Sequence, residues 1–276
     1  MIPGTNIRVR KVLVADDNKI NQQVANLFLK ELGFEVDLAN NGIEAVSLYK
    51  QNVYEIVFLD CQMPGLDGFE ACAIIKEIQN RRGLSVPVVA ITANAIAGSK
   101  EDCLARGMDD YLSKPIDLER VRDMVDRWLG PNQAPGIAAL PTSGGFTAAP
   151  PLFTRGIIDF NLLRSRFNEK NCRELLQMFL ETSKDDIAEI SKLAQADKFV
   201  ELKSKAHAFK GASSTICAKK IAECCQQLES AAQTQKGDEC RRLGQELERL
   251  VRLAEQEITQ ETVERSTVNR APTIDR

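Results

Sequence analysis

The sequence predicts a doubly wound, five-stranded parallel α/β sheet followed by an all-α four-helix bundle. Three observations carry this reading. Residues 11–129 alternate short apolar runs with amphipathic ones, the pattern of repeated βα units. Residues 157 to 260 hold long runs of helical period and no strand alternation. Between them, residues 130–156 (GPNQAPGIAALPTSGGFTAAPPLFTRG) lose both periods and nearly all charge.

The elements follow in order. Lys11 to Ala15 is a short apolar strand. Asp16-Asp17-Asn18 leads into a helix with Ile20, Val24, Leu27, Phe28 and Leu32 on one face, stopped by Gly33. Phe34 to Ala39 is a second strand, and Gly42 to Gln51 a second helix. The third strand, from Ile56, ends on the carboxylate of Asp60. Pro64-Gly65 turns the chain, and Asp67 caps a helix over Gly68 to Gln79, with Glu70 placed to reach back as a capping box. Pro87 to Ile91 is the fourth strand, with Thr92 at its end. Lys100 to Arg106 is helical and stops at Gly107. Tyr111-Leu112-Ser113 is the fifth strand and runs into Lys114-Pro115. Asp117 to Leu129 closes the repeat, with Asp117 as N-cap.

Composition narrows the class. Of 276 residues, 43% are hydrophobic and 27% charged, which fits two ordinary globular domains. A net charge of −3 gives no footprint for nucleic acid. No apolar run approaches the roughly 20 residues of a membrane span, so no membrane contact is expected. Met1-Ile2-Pro3-Gly4 does not open a signal peptide, and a cytoplasmic location is expected. There are eight cysteines, no C-x-x-C spacing and a single histidine. Buried thiols are therefore expected rather than a zinc site or a disulfide framework.

The strand ends carry the chemistry. Asp16, Asp17, Asp60, Thr92 and Lys114 close four different strands, and in a parallel sheet those ends share one edge. Taken singly, Asp16 could be a turn or cap residue, Tyr111 a packing residue and Lys114 a solvated one. Together they form a set of three carboxylates, one hydroxyl and one ammonium. Clustered carboxylates repel one another, and a hard divalent cation with oxygen ligands relieves this; Mg²⁺ is the usual choice beside a phosphoryl group. A positioned carboxylate can be the nucleophile that forms an aspartyl-phosphate. An ammonium and a hydroxyl can then hold the phosphoryl oxygens.

With these motifs in place, residues 9–129 resemble a response-regulator receiver domain. The resemblance rests on Asp16-Asp17-Asn18, Asp60 with Met63-Pro64 and Asp67-Gly68, Thr92-Ala93, and Tyr111 through Lys114-Pro115. Thr92-Ala93-Asn94-Ala95 and Asp110 through Pro115 look most like receivers of hybrid histidine kinases. The resemblance implies a flavodoxin-like sheet of strand order 2-1-3-4-5. It implies that Asp60 accepts phosphate from a sensor histidine kinase. Asp17, Asp60 and the backbone carbonyl of Gln62 would hold Mg²⁺, with Asp16 acting through water. Thr92 and Tyr111 would be a switch pair, Lys114 would meet the phosphoryl group, and Lys114-Pro115 would be cis.

Residues 157–262 divide into a short helix with Leu162, Leu163 and Phe167, then four long ones: Cys172 to Asp197, Phe199 to Ile216, Lys219 to Gln233 and Asp238 to Glu261. Short connections argue for an antiparallel bundle. Residues 263–276 are read as a disordered tail. On the second long helix, Phe199, Leu202, Ala206, Phe209, Ser213 and Ile216 form the core stripe. His207 lies just off it, between Lys203 and Gly211, with Lys210 three residues on, and this face is read as outward. Imidazole is well suited to carry phosphate reversibly, while a plain surface histidine is the bland alternative. His207-Ala208-Phe209-Lys210-Gly211-Ala212-Ser213 resembles a histidine-containing phosphotransfer domain. It departs from that pattern at Ser214 and Cys217, where glycine is common. The resemblance implies His207 as a second phospho-acceptor, assisted by Lys210.

The whole then reads as a phosphorelay protein, either the end of a hybrid histidine kinase or a stand-alone carrier. It would be a phosphoryl carrier rather than an enzyme, passing the group from Asp60 through His207 to a downstream response regulator. Two other readings stay open: an aspartate-nucleophile phosphohydrolase, although Gln62 stands where a second acid is usual, and an unphosphorylated adaptor. Residues 130–156 are read as a flexible tether, with docking of Ile137 to Leu140 or Leu152-Phe153 as the alternative. A tether of about 25 residues reaches roughly 25–30 Å and sets an effective concentration on the order of millimolar. Transfer between the two halves is therefore expected to be first order. Mixing Asp60→Asn chains with His207→Gln chains checks this. If the mixture transfers phosphate as fast as intact wild type at low protein concentration, the tether does not direct the relay.

Overall fold

The computed structural model describes residues 10–92, 99–130 and 156–268. The expected tether and the Ala93-Asn94-Ala95 motif lie outside the described residues. The chain divides into two compact units, residues 1–146 and 147–276.

In the first unit, β1 (Lys11–Ala15), β2 (Glu35–Ala39), β3 (Ile56–Asp60), β4 (Val88–Thr92) and β5 (Asp110–Ser113) form one sheet of order β2-β1-β3-β4-β5. Every neighbouring pair is parallel. The helices are α1 (Lys19–Glu31), α2 (Gly42–Gln51), α3 (Gly68–Arg82), α4 (Ser99–Ala105) and α5 (Leu118–Leu129). β3 and β4 are buried at every position, as central strands covered on both faces must be. β2, on the edge, is half exposed.

Register sets the functional edge. Ala15 pairs with Leu59, so Asp16 stands level with Asp60. Asp60 pairs with Ile91, and Thr92 with Ser113. Asp16, Asp60, Thr92 and Lys114 therefore end their strands within one residue of a common line. The Asp67–Glu70 capping box forms in both directions and fixes the start of α3 just beyond Asp60.

Two helices run further than the apolar stripes suggest. The expected stop at Gln79 is passed, and α3 continues over polar residues to Arg82 before Gly83 ends it at φ 64°. Gln79 faces inward instead, and its amide bonds both the N–H and the carbonyl of Val86. Of the expected disordered tail, residues 263–268 are helical. Nothing between Thr262 and Val268 breaks a helix, and the remaining residues of the tail lie outside the described ones.

The second unit holds α6 (Phe160–Arg166), α7 (Glu169–Gln195), α8 (Phe199–Thr215), α9 (Lys219–Gln233) and α10 (Gly237–Val268). The four long helices pack as a bundle around Phe179 and Phe209, whose rings stack at 5.7 Å. Leu202, Ala206, Phe209, Ser213 and Ile216 are buried as the period requires. The entering chain is clamped to α10: the Glu257 carboxylate accepts from the N–H of Ile157 at 2.8 Å and of Ile158 at 3.1 Å. All eight cysteines are free and buried.

Gly68 admits no side chain. A Cβ there would lie 2.0 Å from the Asp60 carbonyl oxygen, a backbone atom that cannot step aside. Gly68→Ala is expected to destabilise the first unit by about 1–3 kcal/mol. Urea denaturation followed by the fluorescence of Trp128, the single tryptophan of the chain, measures this. An unchanged midpoint would contradict the close approach.

Candidate functional site

At the carboxyl edge of the sheet, a buried ammonium sits between two buried carboxylates. Lys114 Nζ lies 2.6 Å from Asp60 Oδ2 and 2.8 Å from Asp16 Oδ2. Asp16 and Asp60 are each 1% exposed. The backbone holds both acids. Asp16 Oδ1 accepts from Asn18 N–H at 2.9 Å and Asn21 Nδ2 at 3.1 Å. Asp60 Oδ1 accepts from Gln62 N–H at 3.2 Å. Lys114 is fixed by its own N–H, which donates to the Thr92 carbonyl at 2.7 Å, and Lys114-Pro115 is cis.

Asp17 completes the cluster. One oxygen from each of Asp16, Asp17 and Asp60 lies within 4.8 Å of the others. Burial, then the charges of Asp16 and Asp60, push the Asp17 carboxyl from 3.8 up to about 7. Burial also raises Asp60, against the pull of Lys114. For Lys114 burial works downward, but Asp16 and Asp60 outweigh it and raise the ammonium above its usual range. The donor set consists of carboxylate oxygens around excess negative charge, which suits a hard divalent cation.

Thr92 is buried at the end of β4, and Tyr111, half-buried in β5, packs against the core under the sheet. Two supporting side chains were not anticipated from the sequence. Asn21 holds Asp16, and Gln22 Nε2 donates to the carbonyls of Asp16 at 2.6 Å and Ala39 at 3.1 Å, tying β1 to β2. The available signal was two amides on the buried face of α1.

In the bundle, the expected outward face of α8 is largely covered. The His207 and Lys210 side chains are 12% and 18% exposed, and Gly211 is buried. The cover includes Glu229 from α9, which sequence reasoning missed. Its Oε2 lies 3.4 Å from His207 Nδ1, and its Oε1 lies 2.7 Å from Lys210 Nζ. The signal was weak: one acid among the polar residues of α9.

A doubly wound sheet with an acidic edge and a lysine, joined to a helical bundle presenting a histidine, defines a pair of phosphoryl carriers. Residues 12–126 match the response regulator receiver domain, and residues 174–265 match the Hpt domain. The chain thus carries a receiver domain followed by an Hpt domain, an arrangement that supports two-component phosphorelay signalling. Both domain types are phosphoryl carriers, not kinases.

The virulence sensor protein BvgS of Bordetella pertussis is 30% identical over 271 residues, which is 95% of this chain and 21% of the relative. The signal transduction histidine-protein kinase BarA of Escherichia coli is 38% identical over 117 residues, 42% of this chain and 12% of the relative. Among solved structures, the receiver domain of a Pseudomonas aeruginosa sensor histidine kinase, with magnesium in its active site cleft, is 38% identical. It covers 45% of this chain and 99% of that one, with a TM-score of 0.41. The chain spans 6% to 21% of the length of the curated relatives it matches. Among the described residues, no helix is long and apolar enough to cross a membrane.

The Asp17 shift has a consequence for stability. The folded chain keeps a proton that the unfolded chain gives up, so this group favours folding below about pH 4. The contribution is lost as pH rises toward about 7. In EDTA, Asp17→Asn is expected to stabilise the first unit by roughly 1–3 kcal/mol at about pH 8 and by much less at about pH 5. Urea midpoints at the two pH values check this, and equal effects at both would contradict it.

Proposed function

We propose that Asp60 is the phospho-acceptor of the receiver and that His207 carries the group onward. A sensor histidine kinase is the donor to Asp60, and a downstream response regulator takes the group from His207. The Asp60 carboxylate attacks the phosphorus of a phosphohistidine, the N–P bond breaks, and its electron pair returns to the donor imidazole. Asp17, Asp60 and the Gln62 carbonyl would hold Mg²⁺, with Asp16 behind them; the ion would neutralise charge on the incoming group. Lys114 turns from the carboxylates to a phosphoryl oxygen, and Thr92 moves to another, which the half-buried ring of Tyr111 follows. His207 then attacks the acyl phosphate through a ring nitrogen, and the Asp60 carboxylate leaves with the P–O electron pair. The chain acts in this reading as a carrier, not an enzyme, and works in the cytoplasm.

The observation that carries the reading is the buried Asp60 carboxylate held by Lys114 within 4.8 Å reach of two further carboxylates. It is tested with a donor histidine kinase and radiolabelled ATP. Wild type should label on both residues, and EDTA should abolish labelling of Asp60. His207→Gln should label only with acid-stable, base-labile phosphate, and Asp60→Asn should take no phosphate from the kinase. Label on Asp60 that survives EDTA, or label in the double variant, would overturn the proposal.

A further inference from the structure

The β3–α3 connection, residues 61–67, carries the Gln62 carbonyl proposed above as a cation ligand. Both of its ends are fixed. The Cys61 N–H donates to the Ile91 carbonyl at 3.0 Å, the Gly68 N–H donates to the Cys61 carbonyl at 3.3 Å, and the Asp67–Glu70 box holds the far end. Its middle rests on α2. A Cβ at Gly42 would lie 2.4 Å from the Leu66 carbonyl oxygen, 3.1 Å from its carbon and 3.2 Å from the Ala71 Cβ. Gly42 opens α2 behind the Asn41 cap and is buried. Its φ is not among the positive ones, so the backbone there suits any residue. Glycine is a poor helix former, and only the close approach of the connection and α3 asks for it. α2 cannot step back. Ala45, Val46 and Tyr49 bury its inner face. Gln22 Nε2 ties the end of β2 to β1, donating to the Asp16 carbonyl at 2.6 Å, the Ala39 carbonyl at 3.1 Å and Asn40 Oδ1 at 3.2 Å. Asn40 and Asn41 hold the first turn through Glu44. The connection has room on its other side: Gln62, Pro64 and Gly65 are exposed, and a Cβ at Gly65 meets nothing within 4 Å. A side chain at position 42 therefore moves the connection and not the helix.

We infer that Gly42 is a positioning residue for the cation site, its bare backbone letting α2 set the place of the β3–α3 connection and with it the Gln62 carbonyl. The path is short. Leu66 is four residues from Gln62, and the Gln62 N–H already donates to Asp60 Oδ1 at 3.2 Å. A displaced connection therefore alters both the hydrogen bond to the acceptor carboxylate and the place of the carbonyl beside it. Mg²⁺ demands near-ideal octahedral geometry, so a carbonyl moved by a fraction of an ångström is a poorer ligand. The contact lies on the far side of the connection from Asp60 in the chain, and no side chain of α2 need touch the ion. This deepens the proposed Mg²⁺ reading and rests on it for the ligand role of Gln62.

The test uses full-length chains: wild type, Gly42→Ala, and Gly65→Asn, which changes the same connection at its φ of 81° without touching α2. Asparagine tolerates that left-handed backbone. Mg²⁺ titration calorimetry should show Gly42→Ala binding on the order of tenfold more weakly than wild type, and Gly65→Asn within about twofold of it. In EDTA, the amide ¹H–¹⁵N resonances of Gln62 and Leu66 should shift in Gly42→Ala. Urea midpoints in EDTA measure the stability cost separately; a purely structural role would lower the midpoint and leave the affinity of the folded chain unchanged. Wild type gives a readout that needs no variant and decides if Gly42→Ala does not fold: the Gly42 amide should move together with that of Gln62 during Mg²⁺ titration. An affinity in Gly42→Ala within roughly twofold of wild type, or a Gly42 amide that stays still while Gln62 moves, overturns the inference. If wild type binds no Mg²⁺, the cation reading fails instead, and the metal-free shift of the Gln62 amide in Gly42→Ala still decides whether Gly42 places the connection.

Discussion

One ammonium holds the functional edge of the first unit together. Lys114 stands at the end of β5, yet its charge lies between the ends of β1 and β3, so its stem passes the end of β4 to get there. Two buried carboxylates on neighbouring strands would each cost several kcal/mol uncompensated. A single ammonium answers both. The remaining requirements follow from that placement. Thr92 must present its carbonyl to the Lys114 N–H, Asn18 and Asn21 must hold the other oxygen of Asp16, and Gly68 must lack a side chain so that α3 can start against Asp60. Three carboxylates against one ammonium still leave an excess of negative charge. At Asp17 burial first, and the charges of Asp16 and Asp60 after it, raise the proton affinity against the pull of Lys114.

The bundle solves a smaller version of the problem with the signs reversed. There an acid stands between an ammonium and an imidazole, and the acid has the lowered proton affinity. No excess charge is left over when the ring is neutral. The first site keeps an excess of negative charge, whereas the second is balanced by its own side chains.

Most of the fold was legible because the strands of the first unit end on turn signals and several of its helices begin on caps. The Asp67–Glu70 box and the Gly33 stop are local chemistry, and such signals are read from neighbouring residues alone. The strand-end residues of the first site were legible for the same reason, since a parallel sheet puts all such ends on one edge. What failed was reading polar residues on buried faces. Asn21 and Gln22 look like breaks in an amphipathic stripe, yet they are buried because Asp16 and the strand ends need donors. His207 and Lys210 look solvated by their place on the helical wheel of α8. They are covered by α9, whose rotation about its own axis no local pattern in α8 records. The end of α10 was misplaced because polarity was taken for disorder, although no residue there opposes a helix.

The two sites share a feature that bears on how a phosphoryl group enters. In each, the lysine that would meet the group is already engaged in an ion pair with a carboxylate beside the proposed acceptor: Lys114 with Asp16, and Lys210 with Glu229. Simply breaking a buried pair costs on the order of 3–5 kcal/mol, because the abandoned carboxylate stays out of water. Exchange avoids most of that cost. An incoming phosphoryl oxygen would offer the ammonium a new partner as it leaves the old one, and the abandoned carboxylate would be met in turn, by a hard cation held at the first site and by the charge growing on the imidazole in the second. Each lysine is thereby kept in place before the group arrives, and neither needs to be ordered from solvent during transfer. That is preorganisation by ion pair, and in both units it depends on a carboxylate placed close enough to hold the ammonium and to receive other charge when the ammonium turns away.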